Sequence, residues 1–258
     1  MKLTYYLILF NCLWIQIYAQ NDSTYIYAEY NMRLNFEETK TFKSTLYFNN
    51  ESSAFIYYET EEGFENIEDG ENMKIRLVIK DTIKHKIYTL KRKKILFEKQ
   101  KNLLTKKDFY YTHEMIPSLN WELTDKTKKI GEFLCNNAIA EFRGRVYQAW
   151  FTTKIPTSFG PWKLNGLPGL IVKVTDSNNE IEFLLRKIQY NKKYKFKESI
   201  NNSICLNEYL EKEKKLEMNL KKRLESIASR GTKINVEIKL NKIELNFNDI
   251  DKSNKCYE

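Results

Sequence analysis

Residues 138–151 read Ala138-Ile-Ala-Glu-Phe142-Arg143-Gly144-Arg145-Val146-Tyr-Gln-Ala-Trp-Phe151. Two apolar, aromatic-rich runs flank Arg143-Gly144, which reads as a β-hairpin over Ala138 to Phe142 and Val146 to Phe151 with its turn at that dipeptide. Upstream, Trp121 to Leu123 and Glu132 to Cys135 carry strand signals. Downstream, Leu170 to Val174 and Glu180 to Leu185 pair across Asp176-Ser177-Asn178-Asn179, a second hairpin.

The same signals extend in both directions. Tyr25, Tyr27, Tyr30, Met32, Leu34 and Phe36 alternate near the N-terminus, and Thr41 to Phe48 joins Ser53 to Tyr58 through the polar turn Asn49-Asn50-Glu51-Ser52. Further strands are expected at Met73 to Ile79, Lys86 to Leu90 and Asp108 to Tyr111. Leu206, Tyr209, Leu210, Leu216, Leu220, Leu224 and Ile227 recur at helical spacing, with Asn207 suited to the N-cap and Gly231 to the residue past the end. Ile234 to Leu240 and Ile243 to Phe247 alternate as a terminal strand pair or one long strand. The expected fold is mainly β: a curved antiparallel sheet or partly open barrel with one amphipathic α-helix near the C-terminus.

A chain of 258 residues with 42% hydrophobic and 14% aromatic residues builds a true core, and 17 Tyr with 15 Phe exclude a disordered chain. The 8 Gly and 4 Pro exclude collagen-like and linker-like sequences. Two charge runs stand out. Residues 59–71 hold seven acids and no base, and residues 91–107 hold eight bases and one acid. The acidic run lacks the alternation and closing Glu of a calcium loop, so both read as solvated loops or strand faces.

The first residues, Met1-Lys2 followed by Leu3 to Phe10 and ending near Ala19, have the charged, apolar and small-residue regions of a secretory signal peptide cut between Ala19 and Gln20. Asn11 and Gln16 interrupt the run short of a membrane span. The expected organisation is a signal peptide over 1–19 and a single β-rich domain over 20–258. Export makes nucleic acid an unexpected partner despite a net charge of +9. It leaves Cys135, Cys205 and Cys256 in the mature chain, an odd number. A Cys205–Cys256 bond with a buried, free Cys135 is expected.

Three of the four prolines and three of the eight glycines lie between Pro156 and Gly169. Proline fixes φ and glycine allows positive φ or close backbone approach, so this loop is shaped, with turns at Gly160-Pro161 and Pro168-Gly169. Phe159, Trp162, Leu164, Leu167 and Leu170 give it apolar contacts, and it reads as a rigid flap folded on the sheet.

Gly166-Leu167-Pro168-Gly169-Leu170-Ile171 resembles the name-giving motif of the GLPGLI family of exported bacterial proteins. Ile130, Gly131, Cys135 and Ala138 resemble the family's preceding stretch. Phe142-Arg143-Gly144-Arg145, Tyr147, Ala149-Trp150, Ile155-Pro156 and Gly160-Pro161 resemble its central block. Phe151 departs from the usual Tyr. The resemblance spans roughly Trp121 to Leu185 and implies a protein of the Bacteroidota envelope, with no activity to carry over. A remote likeness to the bowl-shaped accessory domain of a bacterial peptide N-glycosidase implies binding rather than chemistry.

For catalysis, the sequence offers His85, His113 and a Cys135/His113 pair without a third member or oxyanion loop. No metal spacing and no cofactor motif is present, and none is expected. The expected function is an exported, non-catalytic binding or accessory module of the periplasm or outer membrane. Its partner is an envelope protein, a lipid or a glycan. Trp162, Phe159, Arg143 and Arg145 are the candidate ligand-facing residues, because Trp and Arg are enriched at interface hot spots. Trp150 is expected in the core. The alternative is a structural partner of an outer-membrane transporter or surface complex, with a hydrolase third.

Overall fold

The structure, a computed structural model, describes residues 24–36, 39–57, 85–101, 109–195, 202–227 and 243–244. In chain order the strands are β1 (Thr24–Asn35), β2 (Thr39–Phe48), β3 (Ser52–Tyr57), β4 (His85–Leu90), β5 (Ile95–Lys101) and β6 (Phe109–Met115). They continue with β7 (Glu122–Ile130), β8 (Phe133–Phe142), β9 (Arg145–Thr152), β10 (Leu170–Asp176), β11 (Ile181–Lys193) and β12 (Ile204–Cys205), followed by helix α1 (Leu206–Ile227). They form one sheet in the order β12-β6-β5-β4-β3-β2-β1-β11-β10-β9-β8-β7. All neighbouring pairs are antiparallel except β12 with β6. The mainly β architecture with one C-terminal helix is the fold expected from the sequence.

The sheet is open but strongly curled. β6 is second and β9 tenth in the order. Eight strand spacings would set them about 38 Å apart on a flat sheet. Yet Glu114 on β6 is ion-paired with Arg143, in the turn that leads into β9. Alternation along the strands turns one apolar row inward: Ala28, Tyr30 and Met32 on β1, Leu46 and Phe48 on β2, Phe55 on β3, Ile87 on β4 and Leu96 on β5. Ala140 and Phe142 on β8, Tyr147 and Phe151 on β9 and Phe183 on β11 close the same cluster. Each large buried side chain contributes about 1.5–3 kcal/mol of burial. On the opposite face Ala54, Tyr88, Phe97 and Tyr111 form a second, smaller cluster, with Tyr194 stacked on Tyr47 at 4.5 Å.

The turns explain the hairpins. Arg143 (φ 51) and Gly144 (φ 78) both take positive φ, the signature of a two-residue type I′ turn that matches the twist of β8 and β9. Asp176 is buried and accepts the amides of Glu180 and Ile181 through one carboxylate oxygen, both at 2.8 Å. It thereby ties the β10–β11 turn.

Several expectations need correction. The two strands expected at Glu132 to Cys135 and Ala138 to Phe142 are one, β8. The strand runs on through Asn136-Asn137: Asn137 is buried, with its amide donating to the Ala149 carbonyl at 3.1 Å and its oxygen accepting from Thr124 at 3.0 Å. The basic run, read as a solvated loop or strand face, contains β5, on which Leu96, Phe97 and Glu98 are buried, not solvated; among its described residues Lys91 to Lys94 form a turn. Asn207 is not the N-cap, because α1 begins one residue earlier. Leu206 and Tyr209 anchor the start of that helix, Tyr209 lying edge-on to Tyr110 at 6.5 Å. Trp150 is half-buried and belongs to neither core cluster, because it alternates onto the face opposite Tyr147 and Phe151.

The signal region, the acidic run 59–71, the strand expected at Met73 to Ile79, Gly231 and Cys256 lie outside the described residues. So do the terminal strands, except Ile243 and Glu244, which are not in a strand.

Candidate functional site

The loop between β9 and β10 is the part of the chain that exceeds what a β-sheet needs. It is fastened at four points. Leu170 donates its amide to the Ile155 carbonyl at 3.0 Å, and Gly166 donates to Ser158 at 2.8 Å. The Trp121 indole donates to the Asn165 carbonyl at 2.7 Å, and the Asn165 side chain donates to Pro117 at 3.1 Å. Its glycines act in two ways. Gly166 has φ +97, in the left-handed region. At Gly160 and Gly169 a Cβ would stand 2.3 Å from the Leu164 carbonyl oxygen and 2.2 Å from that of Thr152. Backbone approach, not dihedral freedom, requires those two.

Within the loop, Leu164 donates its amide to the Pro161 carbonyl at 3.1 Å, and Trp162 sits at φ 56. Positive φ at the second residue alone is the type II′ pattern, and a bulky residue there costs about 1–2 kcal/mol. The turn drives neighbouring side chains into two interior environments. Trp162 enters the core against Phe142 (5.5 Å between ring centres) and Tyr147 (6.2 Å). Lys163 enters a cage of carboxylates.

Lys163 has no exposed side-chain surface. Its ammonium contacts Glu98 Oε2 at 2.7 Å, Glu114 Oε1 at 2.8 Å and Glu244 Oε1 at 2.8 Å. Glu114 accepts the hydrogen bond of the ammonium, and Glu98 and Glu244 complete the ion-pair shell around it. Burial alone would lower its pKa. The carboxylates of Glu114, Glu244 and Glu98 reverse that and hold the ammonium well above its usual range. Arg143 adds a second cation, paired with Glu114 and 3.9 Å from Glu244. Next to it, Arg145 reaches Asp176 at 2.8 Å, pairs with Glu180 and donates to the Ile243 carbonyl at 2.8 Å. The Tyr147 hydroxyl is buried beside this group, and burial raises its pKa.

These positions correct the expected ligand-facing surface. Trp162 is 4% exposed, Phe159 5%, Arg143 4% and Arg145 3%. The aromatic rings complete the core, and the guanidinium groups are taken up by internal carboxylates. Of the expected motif, Gly160, Leu167, Leu170 and Ile171 line the same interior, as does the apolar Leu164 of the loop, with the Ile171 carbonyl accepting from Tyr30 at 2.7 Å. Pro161 opens the turn centred on Trp162-Lys163, and Pro168 is exposed at a bend before β10, where a tight turn was expected with Gly169. Lys163 and its partners were missed, since a lysine between Trp162 and Leu164 carries no sign of burial. The one available signal was Glu98, the lone acid of the basic run.

The candidate catalytic pair is not brought together. His113 lies on β6, where Nδ1 is 2.9 Å from Ser203 Oγ. Cys135 lies on β8, buried and free, with its thiol donating to the Phe133 carbonyl at 3.6 Å. Cys205 is disulfide-bonded, and its partner lies outside the described residues. Among the described residues no group of three His, Cys, Asp or Glu is placed to hold a metal ion.

Residues 143–173 match the family model described as a protein of unknown function, Porph_ging. That block begins at Arg143 and contains Arg145, Lys163 and the whole glycine–proline loop. No curated protein matches the sequence. Among solved structures, the chain is similar to PNGF-II in a C2 crystal form, with a TM-score of 0.47 and 11% identity over 71% of this chain and 30% of that one. PNGF-II in a P21 form gives 0.49 and 13%, over 73% of this chain and 33% of that one. The chain thus spans about a third of the length of PNGF-II.

Proposed function

We propose that the protein is an exported module of the Bacteroidota cell envelope, of the GLPGLI type, that binds a partner without catalysing a reaction. One observation supports this reading above the others. The charged groups of the family-matched block, Arg143, Arg145 and Lys163, are paired with carboxylates and buried. Such a cluster rigidifies a scaffold; a general acid or base needs access to substrate and a pKa near the working pH. The motif is then the internal fastening of a curled sheet, and a partner meets surfaces that the fastening holds in shape.

The signal-like segment at Met1 to Ala19 supports export. Mass spectrometry of protein recovered from the producing cell tests it: a chain starting at Gln20 is expected, and an intact Met1 defeats the localisation. Co-purification from envelope extract tests the role. A transporter component recovered in fixed ratio would favour the structural alternative, and a retained lipid or glycan would favour a ligand-binding module. Hydrolysis that disappears in His113→Ala or Cys135→Ala would overturn the non-catalytic reading.

A further inference from the structure

The two edges of the sheet are finished differently. At one end β12 pairs with β6 through Ile204 with Thr112 and Cys205 with His113, and α1 follows with Leu206 and Tyr209 buried. At the other end stands β7, whose one sheet neighbour is β8. Its side chains from Asp125 to Lys129 are all exposed, as are Glu122 and Leu123. A strand with one neighbour directs the amide and carbonyl of every second residue away from the sheet, a row of hydrogen-bonding positions that another strand can fill.

Past Asp125 the strand reads Lys126-Thr127-Lys128-Lys129-Ile130, with three cations and no acid. Among the described residues none of these ammonium groups has a carboxylate partner. That of Lys128 lies 5.9 Å over the half-buried Trp150 ring of β9. Apolar surface collects at the same edge. Leu123 is 65% exposed across from the core residue Ala138, and Leu134 is 62% exposed across from Lys129. They are the two most exposed large apolar side chains among the described residues, so this edge, and not a face of the sheet, is where uncovered apolar area meets unpaired positive charge. Charge narrows the occupant. A second copy of the chain would set lysines against lysines, and like charges across a ladder destabilise it. The irregular register between Thr124 and Thr127 also shortens the regular edge, a device of strands that resist self-addition. An acidic segment meets the lysines favourably and needs only the regular stretch from Thr127 to Ile130.

We propose that β7 takes an extended, acidic segment of a partner protein as an added strand, pairing backbone to backbone along Thr127 to Ile130. The inference rests on the binding-module reading and names its partner class. Main-chain hydrogen bonds supply the attachment, and the side chains of alternate positions supply the selectivity. Lys129 and Leu134 share one face of the sheet, since residues opposite each other in a ladder do, and Lys128 lies on the other. A segment whose acids meet Lys128 therefore lays its intervening residues beside Leu134, which favours apolar residues there.

The test uses the full chain as recovered from the producing cell. A fluorescent octapeptide alternating glutamate and valine, blocked at both ends, is titrated with anisotropy detection. Wild type should bind it, and Lys126→Gln/Lys128→Gln/Lys129→Gln, with unchanged far-ultraviolet circular dichroism, should bind at least about tenfold more weakly. The same peptide with every amide N-methylated keeps its side chains but cannot donate to a ladder, and should also lose at least about tenfold. Hydrogen exchange should slow at the amides of Thr127 to Ile130 in the complex. The proposal is overturned if wild type takes no peptide, if the methylated peptide or the folded triple variant binds equally well, or if exchange slows elsewhere and not in β7. Polygalacturonate bound through the same lysines while the peptide is ignored would make this a surface for acidic glycans. A wild-type dimer dispersed by the triple variant would make a second copy the occupant. Either result also overturns the proposal. Should the variant unfold, the methylated peptide against wild type still decides. Co-purification of envelope components is read separately, so a failed peptide test leaves the binding-module reading standing, and a catalytic activity defeats that reading without touching the peptide result.

Discussion

Lys163, on the loop after β9, and Glu98, the single acid of the basic run, meet at 2.7 Å in the interior although their strands lie near opposite ends of the sheet. With Glu114 and Arg143 they hold the curl that lets one sheet wrap one core. Removing a single partner of a buried ionic cluster leaves the others uncompensated. Lys163→Met should therefore lower stability by about 3–5 kcal/mol, measured as the shift of the urea midpoint at unchanged slope. Because the variant crowds carboxylates around one cation, its deficit relative to wild type should shrink on mild acidification. An unchanged midpoint would mean that the cluster does not hold the sheet.

Trp162 is a core residue, so its truncation tests the scaffold and not a surface. Trp162→Ala removes a ring packed on Phe142 and Tyr147 and should cost about 3–5 kcal/mol. Alanine keeps the positive-φ cost at this position, whereas glycine removes it. Trp162→Gly should accordingly be no worse than Trp162→Ala. Thermal unfolding checks both, and a fully stable Trp162→Ala would place the ring outside the core.

The three loop glycines should separate by mechanism. Gly166→Ala meets only the Trp121 indole, at 3.7 Å, and bears the positive-φ cost of about 1–2 kcal/mol. Gly160→Ala and Gly169→Ala drive a Cβ into backbone carbonyls that cannot step aside, and both should be more damaging than Gly166→Ala. Expression yield and melting temperature rank them. Gly166→Ala as the worst of the three would contradict the geometry.

His113 predicts one pH dependence. Burial depresses its folded pKa below the ordinary 6.5, against a smaller opposing effect of Glu208. The folded chain then binds fewer protons than the unfolded chain in that window, so stability falls as pH drops below about 6.5. His113→Gln keeps a partner for Ser203 and removes the titration. Its midpoint should vary less with pH than that of wild type between about pH 6.5 and 5. Parallel curves would assign the acid sensitivity to other groups.

Cys135 is free, fully buried and raised in pKa by burial despite a backbone hydrogen bond. It should resist a thiol reagent in native protein and react once under denaturant. Rapid native labelling would show that β8 opens.

Much of the architecture was legible because it rests on local chemistry. Alternation in 24–36 and 39–57, the Arg143-Gly144 and Asp176–Asn179 turns and the helical spacing from Leu206 all report period and turn type, which neighbouring residues set. The cluster of prolines and glycines marked the loop as shaped for the same reason. What the loop is shaped against was not legible. Burial of Trp162, Arg143 and Arg145 depends on partners outside their local sequence, Phe142 and Tyr147 for the ring and Glu114, Asp176 and Glu180 for the guanidinium groups, and an aromatic or basic side chain looks alike whether it faces solvent or a carboxylate. Lys163 is the clearest case: its sequence neighbours are apolar, and only the curl of twelve strands brings Glu98, Glu114 and Glu244 around it. Sequence by itself determined the strands with clear alternation, the Arg143-Gly144 and Asp176–Asn179 turns and the helix, though not β5 or the unity of β8, because those features follow from short-range sterics and periodicity. The curl, the buried cage and the docking of Ile243-Glu244 were decided by tertiary structure, because charges are matched there across distances in sequence that no local pattern encodes.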